Sequence, residues 1–185
     1  GLLLPGFFNG HTHSSEMWCR GEIDMTPLEL WLAQLIDWSP NDLEMIEASC
    51  LHCGVETMMT GGTGIMDHLT PLIDETGVRH VYDTVRVAVR AYRALGIRAF
   101  IAPLLGDLDP LTTFPRAPGE AKRTYEGVNT QQMLDEMERA IVDFHRPEEG
   151  IHIAVGPTGI QLASDELISG LAALSDKYNT ARHIH

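Results

Sequence analysis

The sequence predicts an α/β fold: a partial (β/α)8 TIM-like barrel of about five parallel strands joined by crossover helices. Three observations carry that expectation. Strand-like apolar runs alternate with helical periodicity along the chain, with no hairpin signal between them. The alternation occupies 185 residues, whereas a closed barrel takes about 250. Two His-x-His motifs, "HTH" at 11–13 and "HIH" at 183–185, stand at the carboxyl ends of the first and last strands, where α/β sheets place their sites.

The first strand is the run Leu2, Leu3, Leu4, Pro5, Gly6, Phe7, Phe8 leading into "NGHTH". Side chains on a strand alternate between faces, so His11 and His13 point the same way. In "TPLELWLAQLIDW", Thr26 as N-cap, Pro27 at the first helical position and Glu29 at N3 form a capping box. Ser39, Pro40 and Asp42 repeat that signal for a helix through Leu43, Ile46, Cys50 and Met58, stopped by Gly61 and Gly62. "TGIMDH", 63–68, is the second strand, with Asp67 and His68 at its end.

A long helix follows, with Val81, Val85, Ala88, Val89, Tyr92 and Leu95 on one face and Gly96 closing it. "IRAFIAPLL" is the third strand and "IHIAVGP" the fourth. Between them lie a loop over 106–127, expected at the same mouth as the histidines, and a helix carrying Met133, Met137, Ile141 and Phe144. Ser164 caps the last helix, which turns Leu167, Leu171 and Leu174 inward, and "TARHIH" is the fifth strand.

With 44% hydrophobic and 21% charged residues, 1–185 reads as a single domain around one core. A net charge of −13 excludes a general nucleic-acid binder, which needs clustered Lys and Arg. No run approaches the length of a membrane span. Three cysteines are an odd count, suited to a reducing cytoplasm rather than a disulfide framework. "CLHC", 50–53, lacks the second pair that a structural zinc site needs and reads as small buried helix residues. The barrel reads as cut at both ends, so a homo-oligomer is expected to cover its open edges.

The chemistry converges on the histidines. His11, His13 and one histidine of the last pair are candidate ligands of one divalent metal. In the loop "SSEMWCRGE", Glu16 is placed to accept from a ring N–H or amino group, Trp18 to stack on a ring, and Arg20 to pair with Glu16; the bland alternative is a solvated loop. His68 is a candidate substrate contact at the mouth, although packing behind the site suits it and Asp67 better. His52, His80, His145 and His152 read as packed or surface residues.

"LLLPGFFNGHTH", "GGTGIMDHL", "AYRALGIRAFIAPLLGD", "VGPTGIQLASDEL" and "RHIH" together resemble the amidohydrolase superfamily. The resemblance covers essentially the whole chain and is closest to the branch of heterocycle deaminases and triazine-type chlorohydrolases. It implies a mononuclear site, zinc or iron, of two strand-one histidines, a strand-five histidine and a strand-eight aspartate. Carried onto this chain, the ligands are His11, His13 and His185, with His183 competing for the third place. Binuclear relatives use a carboxylated lysine on strand four, and "IHIAVGP" has none. The implied reaction is attack of metal-bound hydroxide on a C–N or C–Cl bond of a small heterocyclic ring. The family's proton-transfer groups, a strand-five glutamate, a strand-six histidine and the strand-eight aspartate, have no counterpart here, so these residues alone are expected to be inactive.

One departure bears on the substrate. Adenosine-type relatives often carry "GPH" on strand four where this chain has "GPT", 156–158, which argues against a purine nucleoside. Two other readings stand beside the first. "HTHS" also occurs in phosphoesterases of the polymerase and histidinol phosphatase type, and a half-barrel can serve as a non-catalytic module.

Overall fold

The computed structural model describes residues 1–35, 42–108 and 127–185. Ser39, Pro40 and most of the expected loop over 106–127 lie outside them. Four strands form one parallel sheet in the order β1 (Phe7–Thr12), β2 (Gly62–Leu69), β5 (Arg98–Pro103), β6 (Ile151–Ile153). Between them run α1 (Leu28–Leu35), α2 (Leu43–Met59), α3 (Val81–Leu95) and α4 (Thr130–Phe144), and α5 (Asp165–Tyr178) follows β6. This is the partial (β/α)8 barrel that the alternation predicts.

The expected fifth strand is reduced to a single parallel bridge between Val155 and Arg182. The Val155 N–H donates to the Ala181 carbonyl at 3.0 Å and the His183 N–H to the Val155 carbonyl at 2.9 Å, which draws the final segment alongside the extension of β6. A short antiparallel pair, β3 (Leu72–Ile73) with β4 (Arg79–His80), also departs from the expectation of no hairpin. It is tied down by Asp74, whose carboxylate accepts from the Thr76 and Val78 N–H groups and from the Thr76 hydroxyl.

Each helix starts and stops for a local reason. Asp42 accepts from the Met45 N–H at 2.7 Å, Asn129 from Gln132 at 2.9 Å and Ser164 from Leu167 at 3.1 Å. Gly96 ends α3 at φ 67°, a left-handed conformation that glycine adopts without strain. One face of the sheet presents Ile65, Leu69, Ile101 and Ile153 to the core, where they meet Ile46, Val85, Tyr92, Met137 and Leu171 from the helices. The alternate face carries Phe8, Phe100 and His152, with the Phe100 and His152 rings stacked 4.0 Å apart. No described helix is long and apolar enough to cross a membrane.

Parallel strands put all their carboxyl ends on one edge. The end of β1, the end of β2, the extension of β6 and the final segment therefore meet there, and with them five histidines.

Candidate metal centre

His11 and His13 leave the end of β1 on one side, as the period-two reading requires, and their Nε2 atoms stand 3.1 Å apart. His185 Nε2 lies 2.9 Å from His13 Nε2, and His183 Nε2 lies 3.0 Å from His11 Nδ1. Two nitrogen ligands on a tetrahedral zinc stand about 3.3 Å apart, close to the His11–His13 and His13–His185 spacings, whereas His183 approaches the other edge of the His11 ring. Ring nitrogens of His11, His13 and His185 all fall within 4.8 Å of one another, and so do those of His11, His68 and His183. Both histidines of the last motif thus enter the cluster.

The backbone sets the tautomer of His13. Its Nδ1 is 2.7 Å from the His68 carbonyl oxygen, which only accepts, so Nδ1 carries the proton and Nε2 keeps its lone pair toward the cluster. Burial first, and the neighbouring histidines next, push the pKa values of His11, His183 and His185 below the ordinary imidazole value. His68 is driven down to about 3, chiefly by burial. Neutral imidazoles with lone pairs are the form that binds a metal.

Behind His13 sits a carboxylate that alternation alone assigns to the core. Asp67 shares the helix-facing parity of Ile65 and Leu69 and is fully buried. It accepts from the Ser14 N–H at 2.9 Å, the Ser14 hydroxyl at 2.7 Å and the Tyr92 hydroxyl at 2.7 Å. Burial pushes its pKa up, and these donors pull the other way. Ser14 follows His13 directly and opens the 3-10 turn Ser14–Cys19, so Asp67 pins the chain where it leaves the site. A lone acid at a core position of an apolar strand was the sequence signal for this role.

The loop expected to contact substrate is only partly arranged as the sequence suggested. Glu16 Oε1 lies 4.0 Å from His13 Nδ1, and burial followed by repulsion from Asp67 lifts its carboxyl to about 7. Arg20 does not pair with Glu16: it forms a two-pronged pair with Glu56 of α2 at 2.6 and 2.8 Å. The 3-10 turn packs on α2, which brings Arg20 to Glu56 and lets the Trp18 indole N–H donate to Ser49 at 2.7 Å. Trp18 is 37% exposed. A separate cleft of about 520 Å³ is lined by Asn9, Thr12, Arg20, Cys53 and Glu56 among others, and none of the five histidines lines it. Cys19, Cys50 and Cys53 are free thiols.

The class this fold defines is that of α/β barrels, here with a cluster of histidines at the carboxyl ends of the strands. Residues 2–185 match the Amidohydrolase family, and the chain belongs to it. It is 28% identical to a 5-methylthioadenosine/S-adenosylhomocysteine deaminase of Thermodesulfovibrio yellowstonii, over 99% of this chain and 36% of that protein. It is 29% identical to a 5'-deoxyadenosine deaminase of Methanothermobacter thermautotrophicus, over 100% of this chain and 37% of that protein. Among solved structures, a triazine hydrolase from Arthobacter aurescens superposes with a TM-score of 0.78 at 21% identity, covering 98% of this chain and 40% of that one. A guanine deaminase of E. coli superposes with a TM-score of 0.66 at 17% identity, covering 98% and 36%. The chain spans a little over one third of the length of the curated relatives it matches.

Proposed function

We propose that the chain carries the greater part of the metal site of a hydrolase that cleaves a C–N or C–Cl bond on a small heterocyclic ring. The observation behind this reading is the His11, His13, His185 trio, with nitrogen spacings of 2.9 and 3.1 Å at the carboxyl edge of a parallel sheet. An all-imidazole donor set suits zinc or iron rather than magnesium or calcium. His11, His13 and His185 would hold a divalent ion, which when bound would supply Lewis acidity and lower the pKa of water there to near neutrality.

The chain's own groups do the rest of what this reading asks of it. The His68 carbonyl orients His13, and Asp67 through Ser14 holds the strand end. Glu16, with a carboxyl pKa of about 7, is placed beside His13 to accept from a ring N–H or amino group and to hold a proton there at neutral pH. Trp18 and His68 are its companions in the substrate-contact reading. The relatives' names, a 5-methylthioadenosine/S-adenosylhomocysteine deaminase and a 5'-deoxyadenosine deaminase, favour an amino-substituted purine nucleoside over a chlorinated ring, and they weigh against the expectation drawn from Thr158 in the "GPT" turn. A cytoplasmic homo-oligomer belongs to the same reading, since three reduced thiols suit that compartment.

Equilibrium dialysis against Zn²⁺ tests the metal. The chain is expected to bind one ion, and His13→Ala and His185→Ala are expected each to weaken binding at least tenfold. Binding that is absent, or unaffected by both substitutions, refutes the reading. Ammonia release, chloride release and phosphate release from the matching substrates separate deaminase, chlorohydrolase and phosphoesterase.

A further inference from the structure

The metal site proposed above leaves His183 outside the ligand set and gives His68 no part in holding the ion. His68 is fully buried at the end of β2, and its Nδ1 has no hydrogen-bond partner among the described residues. Among the described residues its Nε2 reaches the Gly156 carbonyl, at 3.5 Å. A buried imidazole nitrogen with nothing to bind is costly, and such groups in a native site ask for a ligand. Next to it stands His183, with ring centroids 4.8 Å apart and the planes nearly perpendicular.

His11 belongs to both histidine trios through opposite edges of its ring. Its Nε2 faces His13 at 3.1 Å and its Nδ1 faces His183 at 3.0 Å. A neutral imidazole has one lone pair, on whichever nitrogen lacks the proton. With the proton on Nδ1, His11 completes the trio of His13 and His185; with the proton on Nε2, it completes the trio of His68 and His183.

We propose that the cluster contains a second divalent-cation position, formed by His11, His68 and His183, which alternates with the first and is selected by the His11 tautomer. The two positions exclude each other because they share His11. The second uses the fully buried His68 on β2, whereas every member of the first trio is at least partly exposed. The inference rests on the metal reading above, and it adds ligands that reading does not use. Three neutral imidazoles again select zinc-like cations.

Equilibrium dialysis with Zn²⁺, supported by the visible spectrum of the Co²⁺ form, separates the two claims. The unsubstituted chain is expected to bind one ion. The double variant His13→Ala/His185→Ala is expected to keep one ion at lower affinity and with an altered Co²⁺ spectrum. Adding either His68→Ala or His183→Ala to that variant is expected to abolish binding. His183 is partly exposed, so its variant guards against a folding defect at the buried His68, and far-UV circular dichroism checks both. If the unsubstituted chain binds an ion and the double variant binds none, the second position is overturned and the first stands. Binding that survives both added substitutions also overturns it, because the ion is then held elsewhere. No ion on the unsubstituted chain overturns the metal reading itself.

Discussion

Replacing Asp67 with alanine removes the acceptor of three buried N–H and O–H donors in one step. The Ser14 N–H, the Ser14 hydroxyl and the Tyr92 hydroxyl reach it at 2.9, 2.7 and 2.7 Å, and Ser14 and Tyr92 are at most 1% exposed. A buried donor left unpaired costs ~1–3 kcal/mol, so the gross loss is ~3–9 kcal/mol. Against this stands the relief of a carboxylate that burial disfavours, as its upward pKa shift records. A net loss of ~3–5 kcal/mol is expected, a large part of the ~5–15 kcal/mol that holds a typical domain. Tyr92→Phe removes one donor and is expected to cost ~1–2 kcal/mol. Urea unfolding at pH 7 measures both, with an Asp67/Tyr92 double-mutant cycle for the coupling. Zinc affinity is a second readout, because Ser14 adjoins His13 and the His68 carbonyl next to Asp67 orients the His13 ring. A loss under ~1 kcal/mol, or a cycle with no coupling, refutes the claim that this carboxylate anchors the end of β1.

Three further outcomes are expected. The metal-free protein should lose stability as pH falls from 6.5 toward 3: His68 stays neutral when folded, down to about 3, but takes up a proton at 6.5 when unfolded, a difference of up to ~5 kcal/mol that His68→Gln should remove in pH-dependent thermal unfolding. Glu16 works in the opposite sense, since its folded carboxyl keeps a proton up to about 7 that the unfolded chain releases from 4.5; Glu16→Gln should gain up to ~3 kcal/mol relative to the parent above pH 7, and equal pH profiles would count against its placement. A Cβ at Gly156 would meet the Pro103 carbonyl oxygen at 2.6 Å and His68 Nε2 at 2.9 Å, so Gly156→Ala should cost ~1–3 kcal/mol in urea unfolding and displace His68, which the histidine NMR signals would report.

What the sequence made legible follows the range over which a pattern can act. Helix α3 was readable because Val81, Val85, Ala88, Val89 and Tyr92 repeat at helical spacing before Gly96, and all five are buried while Gly96 caps the helix. Strands β3 and β4 are two residues each, shorter than any alternation that could announce them. The alternation predicts a strand in the final segment, but the segment is too short to form a ladder, and its single bridge to Val155 depends on where β6 already lies. Arg20 and Glu56 are 36 residues apart, and nothing near Arg20 in the chain distinguishes that partner from Glu16; only the packing of the 3-10 turn on α2 does.

The site obeys the same rule with one instructive limit. Alternation puts His11 and His13 on one side, and it puts His183 and His185 on one side too, so parity alone could not choose between the last two. The structure explains the tie: His185 reaches His13 and His183 reaches His11, each through Nε2. His68 has the opposite parity to Asp67 on β2, which sends one side chain among the histidines and the other into the core beneath the strand end. Two adjacent residues on one strand therefore serve the same centre from two sides, Asp67 through the backbone of Ser14 and His68 through its carbonyl on His13. A substitution that shifted β2 by one residue would exchange those faces, placing a carboxylate among the imidazoles and an imidazole in the core, and would dismantle both supports at once.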